Sequence, residues 1–161
     1  MIKDCVESDL DDMQVVINNG AEVYRGIIPA DRWHEPYMGR DELNNEIAAG
    51  VVFRGWFDET AGLLGVMGAQ PVLDVLLIRH AYIKSDRQRD GLGSALIGDL
   101  LATADRTVLV GTWAAAVWAV EFYQKHGFDL TTTSEKDRLL RRYWCIPERQ
   151  IETSVVLMKQ L

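Results

Sequence analysis

The sequence predicts an α/β fold, of the α+β kind with one mixed sheet, and three observations carry that prediction. Three consecutive segments, "VVFRGWFD", "LLGVMGAQPV" and "DVLLIRHAYI", are rich in Val, Ile, Leu and aromatics and are separated by turn residues, which reads as an antiparallel meander. A glycine junction, "QRDGLGSAL", follows the meander and opens an apolar helix. Helix and strand patterns then alternate, a layout that sets neighbouring strands parallel through a right-handed crossover.

Each element can be justified in order. "MIKDCVE" reads as a short first strand. "SDLDDMQVVINNGAEVY" follows as a helix, with Ser8 or Asp9 as N-cap and acids in the first turn, where the helix dipole favours them. Leu10, Met13, Ile17 and Val23 give it one loose apolar face. "RGIIPADRWHEPYMG" is irregular, broken by Pro29 and Pro36, and "RDELNNEIAAG" is a second helix ending at Gly50. The meander's turns fall at "DETAG" and at Pro71–Asp74. Beyond it, a helix runs from about Gly91 to Ala104, "TVLVGT" is a strand, and "AAAVWAVEFYQKHG" is a helix stopped by Gly127. "FDLTTT" is a strand, "SEKDRLLRRYW" is a short helix with Ser134 and Asp137 placed for a capping box, and "QIETSVVLMK" is the final strand.

No repeat, low-complexity tract or linker interrupts the pattern, so residues 1–161 are expected to form a single domain. Seventeen basic residues against 24 acidic ones give a net charge of -7, and the only basic cluster is "RLLRRYW". A nucleic-acid partner needs a basic face and is not expected. An acidic surface suits a cationic substrate such as an amine. No segment approaches the ~20 apolar residues of a membrane span, so no membrane partner is expected. The charges within "MIKDCVESDL" read against a secretory signal, which makes the cytoplasm the expected compartment. Cys5 and Cys145 lie far apart, with no His or Cys at metal-ligand spacing, and are expected to be reduced thiols with no metal.

The glycine junction needs a reason. A helix N-terminus presents free N–H groups and a partial positive charge, and glycines let a ligand approach that backbone closely; together they make an anion site. The strand "VLLIRHAYI" leads into Gln88-x-x-Gly91-x-Gly93 and then Ser94. A phosphate-binding loop of the nucleotide triphosphatases needs Lys and Ser or Thr after its last glycine, and Ser94-Ala95 does not supply them. A dinucleotide fingerprint needs a small residue where Leu96 stands and belongs after the first strand of a βαβ unit. A plain tight turn into a helix is the structural alternative.

Position adds information. The pattern Q/R-x-x-G-x-G/A after a meander resembles the acyl-coenzyme A pyrophosphate loop of the GNAT superfamily of N-acyltransferases. "AVWAVEFYQKHGF" is similar to that family's second signature, N-x-x-A-x-x-F-Y-x-x-x-G-F, with Ala119, Phe122, Tyr123, Gly127 and Phe128 matching and Ala116 replacing the Asn. One helix and one strand separate the two signatures, and two helices follow the first strand, so the resemblance covers nearly the whole chain.

The resemblance implies a meander joined to a parallel βαβ with a splayed strand pair, and acetyl-CoA as cosubstrate. A substrate amine would attack the thioester directly within one ternary complex. Gln88 would open the cofactor loop, backbone amides from about Arg89 through Asp90, Gly91, Leu92 and Gly93 to Ser94 would hold the pyrophosphate, and Arg87 and Arg89 would add charge nearby. Asp90 departs from the family, which often carries a basic residue there. The freed strand edge at Ala81, Tyr82 and Ile83 would pair with the pantetheine arm and supply an N–H to the carbonyl oxygen. Ala119 and Phe122 would line the cofactor arm. Tyr123 would protonate the leaving thiolate, since a phenol with pKa ~10 suits that task; its alternative is a core tyrosine. The attacking amine must lose a proton, and the position that relatives commonly use for a base falls on Leu77, which cannot act. Arg79, on the same face by strand alternation, could bind a substrate carboxylate, and His80 titrates near neutrality. By the same alternation His80 should face the opposite side of the sheet, as a core residue or as the base. Glu42, Glu46 and His34 are further candidates.

Acceptor specificity is expected from "PADRWHEPYM" and "EKDRLLRRYWCIPERQ", with Trp33, Tyr37 and Trp144 as walls beside charges. The expected function is therefore N-acetylation of a primary amine on a small or amino-acid-like molecule. A non-catalytic acyl-CoA-binding or regulatory module, and acetylation of a protein at its N-terminus or a lysine, stay open as alternatives. A homodimer is compatible with the family.

Overall fold

The computed structural model describes residues 1–161 and divides into two compact units, Met1–Gln70 with Arg79–Thr103, and Pro71–Ile78 with Ala104–Leu161. The expected mixed sheet is present. In the first unit β1 (Ile2–Asp4) pairs antiparallel with β2 (Val52–Asp58), and β2 with β3 (Gly62–Val72), whose last two residues fall in the second unit. Asp58 caps the β2–β3 turn, accepting from the amides of Thr60 and Ala61, and these bonds hold its carboxyl at about 2.

Helix α1 (Leu10–Gly20) turns Met13, Val16 and Ile17 inward, one turn apart, onto Leu43 of α2 (Arg40–Ala48) and onto Val51, Phe53, Leu63 and Val66. Full burial of such side chains contributes about 1.5–3 kcal/mol each. The predicted face was shifted: Val23 is exposed, in a tighter turn after α1 (Ala21–Tyr24). Neither predicted N-cap works as foreseen. Asp9 accepts instead from the amide of Val6 at 2.7 Å, closing a short turn before α1. Helix α3 (Leu92–Thr103) buries Leu96, Ile97 and Leu100, and its Asp99 takes the Arg54 guanidinium of β2 at 2.7 Å and 3.0 Å.

In the second unit the first half of β4 (Val75–Ile83) runs parallel to β5 (Val108–Trp113). Three residue pairs join them, Leu76–Val108, Leu77–Leu109 and Ile78–Val110; the pairing ends there, although β4 continues to Ile83 and β5 to Trp113. Strand β7 (Ser154–Lys159) pairs antiparallel with β5 and with β6 (Asp129–Leu130), so the strands follow the order β1-β2-β3-β4-β5-β7-β6. Helix α4 (Val117–Lys125) lies against β6 and β7 and ends at Gly127, whose φ of +86° suits glycine.

Two sequence expectations shift in this unit. Helix α5 (Thr133–Tyr143) is capped by Thr132, whose hydroxyl accepts from the Glu135 amide at 3.3 Å, and not by Ser134. The segment expected to begin the last strand at Gln150 instead forms helix α6 (Glu148–Glu152), because Pro147 sets its first turn and Ile151 is needed in the core. Lys136, nearly buried, ties the two helices by donating to the Ile151 carbonyl at 2.8 Å.

Candidate functional site

The glycine junction is built as a helix opening. Gly91 has φ +78°, a conformation that a side chain resists, and an added Cβ there would meet nothing within 4 Å. The first helical bond runs from the Ala95 amide to the Gly91 carbonyl at 3.1 Å. The amides of Leu92 and Gly93 therefore precede the helix's own acceptors and point outward from its positive end. The loop is fixed from behind. Gln88 Nε2 donates to the Ile83 carbonyl at 3.3 Å, and the Ser85 amide donates to Asn19 of α1 at 2.8 Å. Asp90, the departure from the expected pattern, is exposed and faces Arg87 at 3.7 Å, so its charge is offset locally. Arg89 is exposed beside them.

The second half of β4 carries an unforeseen arrangement. Strand alternation put Arg79 and His80 on opposite faces, but His80 has φ +56° and the alternation breaks there. Both side chains reach the same carboxylate. His80 Nε2 lies 2.8 Å from Glu46 Oε2, and Arg79 lies 3.1 Å from the same oxygen. Arg79 also donates to Gln70 at 2.9 Å, so its guanidinium is already engaged on two sides. The His80 ring stacks on Phe53 at 6.2 Å. The hydrogen bond from His80 and the nearby Arg79 hold the Glu46 carboxyl below its ordinary range. An ionised carboxylate only accepts, so Nε2 carries a hydrogen toward it. A non-glycine residue held at positive φ costs about 1–3 kcal/mol and persists where the surroundings over-determine it.

An aromatic group completes the first unit. Tyr82 donates its hydroxyl to that of Tyr37 at 3.2 Å, and Trp33 packs on Tyr37 at 5.4 Å between centroids. Ala81 and Ile83 flank Tyr82 on the strand. The first unit thus brings together the glycine loop, the end of β4 and the Trp33–Tyr37 segment. The remaining predicted residues belong to the second unit. Tyr123 is buried at 6% exposure on α4, one turn from Ala119, and meets Phe122 at 5.1 Å and Phe128 at 5.6 Å, edge to face. Trp144 packs beside Gly111 of β5 with Leu140.

Sequence reasoning weighed Glu46 only as one base among several and did not see it as the partner of His80. No pattern announces a positive φ in mid-strand that brings one residue to its neighbour's side.

A family model described as an acetyltransferase (GNAT) domain matches residues 9–140. No curated protein matches the chain. Among solved structures, PaiA N-acetyltransferase from Thermoplasma acidophilum, in complex with coenzyme A, is similar with a TM-score of 0.73 at 16% identity, over 100% of this chain and 98% of that one. A GNAT-family acetyltransferase from Staphylococcus aureus gives 0.73 at 14% identity, over 100% and 98%. A ribosomal-protein-alanine N-acetyltransferase from Brucella melitensis gives 0.69 at 14% identity, over 100% and 99%. At such identities the structural likeness is one of fold.

Proposed function

The chain belongs to the GNAT acetyltransferase family, and from that premise we propose that it transfers an acetyl group from acetyl-CoA to a primary amine of a small molecule. The family model crosses both units, which supports treating residues 1–161 as one functional domain.

The observation that carries the reading is the loop at 88–94. Its helix-opening amides, the positive φ of Gly91 with open space at the Cβ position, and the nearby Arg87 and Arg89 fit a diphosphate. Acetyl-CoA supplies the activated thioester. The protein's residues do the rest. Leu92 and Gly93 bind through their amides, and Gln88 keeps the loop on β4. Ala81–Ile83 lie past Ile78, the last residue of β4 paired with β5, and are assigned to the pantetheine arm. His80 takes the amine's proton on Nδ1, with Glu46 fixing the tautomer. Tyr123, on the strength of its matching motif, donates a proton to the departing sulfur, and Ala119 and Phe122 belong to the same motif. Trp33, Tyr37 and Trp144 are assigned to the acceptor.

Two further readings are separated by experiment. Acetylation of a protein terminus is favoured by the likeness to the ribosomal-protein-alanine enzyme, and a binding-only module by Ala116 in place of Asn. Free-thiol release from acetyl-CoA is followed with a panel of small amines and with peptides bearing a free N-terminus. Turnover of small amines is expected. Turnover of peptides alone supports the protein-acetylating reading, and CoA binding without any thiol release supports the module.

Tyr123→Phe keeps the ring and its edge-to-face contacts, so the fold is expected to hold while kcat falls about 10²-fold. CoA affinity measured by calorimetry should stay within about twofold. Unchanged kcat removes the acid role.

A further inference from the structure

We propose that Arg32 is an anion anchor for the acceptor, and that the acceptor is therefore an amine that also bears a carboxylate. This rests on the reading of the chain as a small-amine acetyltransferase. The observation is a half-buried cation without a partner. Arg32 Nε is shielded from solvent and has no hydrogen-bond acceptor. Its guanidinium enters no ion pair, whereas Arg25, Arg40, Arg54 and Arg79, the other arginines of the first unit outside the glycine loop, each face a carboxylate. In a chain with a net charge of -7, carboxylates are plentiful, so a half-buried guanidinium left unpaired is not a matter of supply. The side chain is only half-buried and no group of the protein fills its outer nitrogens, which leaves them open to an anion from outside.

The surroundings point to the acceptor. Arg32 ends a single tight turn, Ala30–Arg32, next to Trp33. Trp33 is fixed on three sides: its Nε1 donates to Glu35 at 3.0 Å, Arg25 lies over its ring at 4.6 Å, and Tyr37 packs against it. The segment is pinned to α1 where Met38 and Asn18 exchange hydrogen bonds of 2.6 Å and 3.0 Å. Tyr37 meets Tyr82 of β4, next but one to His80. The segment that carries Arg32 thus meets, through Tyr37, the stretch of strand that bears the proposed base. An arginine fork matches a carboxylate in two parallel hydrogen bonds. Arg79, the anion binder expected from the sequence, is already held by Glu46 and Gln70.

The same fork could meet a phosphate of the cosubstrate, and the test separates the two sources. Thiol release is measured with α-amino acids and with the amines left when the carboxylate is removed, such as phenylalanine against phenethylamine and lysine against cadaverine. Calorimetry of the same compounds against the CoA-bound protein reads binding directly. The wild-type protein is expected to favour the carboxylated member of at least one pair by about tenfold or more. Arg32→Gln should erase that preference with the KM for acetyl-CoA unchanged, and Arg32→Lys should keep part of it. The thermal midpoint of Arg32→Gln should not fall, because no internal bond is lost. The assignment is overturned if no pair shows a carboxylate preference in either assay, or if Arg32→Gln leaves the preference intact or raises the KM for acetyl-CoA instead. Absence of thiol release from every amine would count against the small-amine reading, whereas turnover indifferent to the carboxylate counts against Arg32 alone.

Discussion

Gly91→Val is expected to weaken CoA binding by about 10²-fold or more while leaving the protein folded. The argument is conformational. Gly91 sits at φ +78°, where a β-branched residue is strained by about 1–3 kcal/mol, and the loop would relax to relieve it. An added side chain would meet open space within the chain, so it would project into the space where the ligand is proposed to lie. Relaxation also turns away the amides of Leu92 and Gly93, each of which loses a charge-assisted hydrogen bond. Gly50→Val is the matched control: Gly50 has φ +103°, also with nothing within 4 Å of a Cβ, but it ends α2. The two variants should lose similar thermal stability, and only Gly91→Val should lose CoA in a calorimetric titration. Equal CoA affinity in both would separate the glycine from the ligand.

His80→Asn is expected to lower kcat/KM about 10²- to 10³-fold. Asparagine tolerates positive φ better than most side chains, so the local backbone should survive and a loss of activity cannot be put down to backbone collapse. The pH profile carries the decisive readout. A base must be neutral to act, so activity falls as pH drops and the imidazole takes up a proton. That acidic limb should vanish in His80→Asn. The charged groups facing the ring are Glu46 from α2 and Arg79 beside it on β4, and Phe53 stacks from β2. Glu46→Gln removes the ionised acceptor that orients the ring, so kcat/KM should fall in that variant too. An acidic limb that persists in His80→Asn shows that His80 is a packing residue.

The strands were legible because burial imposes its period on them: "VVFRGWFD" and "DVLLIRHAYI" lie within a residue of β2 and β4. The two glycine-marked helix ends, at Gly91 and Gly127, were legible because positive φ selects glycine. Legibility failed where a tertiary demand outweighs a local one. β3 runs on through Pro71 to Val72, so the turn is only Leu73–Asp74. α6 forms because Ile151 fills the core of the second unit, a demand that five residues of sequence do not display. Around the candidate site, the helix opening at Gly91 was readable from spacing, and the helix that bears Tyr123 from its pattern. The Glu46–His80 pair was not, because alternation assumes a regular strand and His80 leaves it. Arg32 was not readable either, because in an acidic chain every arginine is expected to find a partner.

The central claim is that backbone N–H groups at residues 89–94 hold a diphosphate. Amide resonances of the isotope-labelled chain, followed during titration with CoA and separately with pantetheine, which lacks the diphosphate, address it most directly. The account predicts that the amides of Gly91, Leu92 and Gly93 shift strongly with CoA and stay in place with pantetheine. Resonances of this loop that ignore CoA, or that move as far with pantetheine, would contradict it.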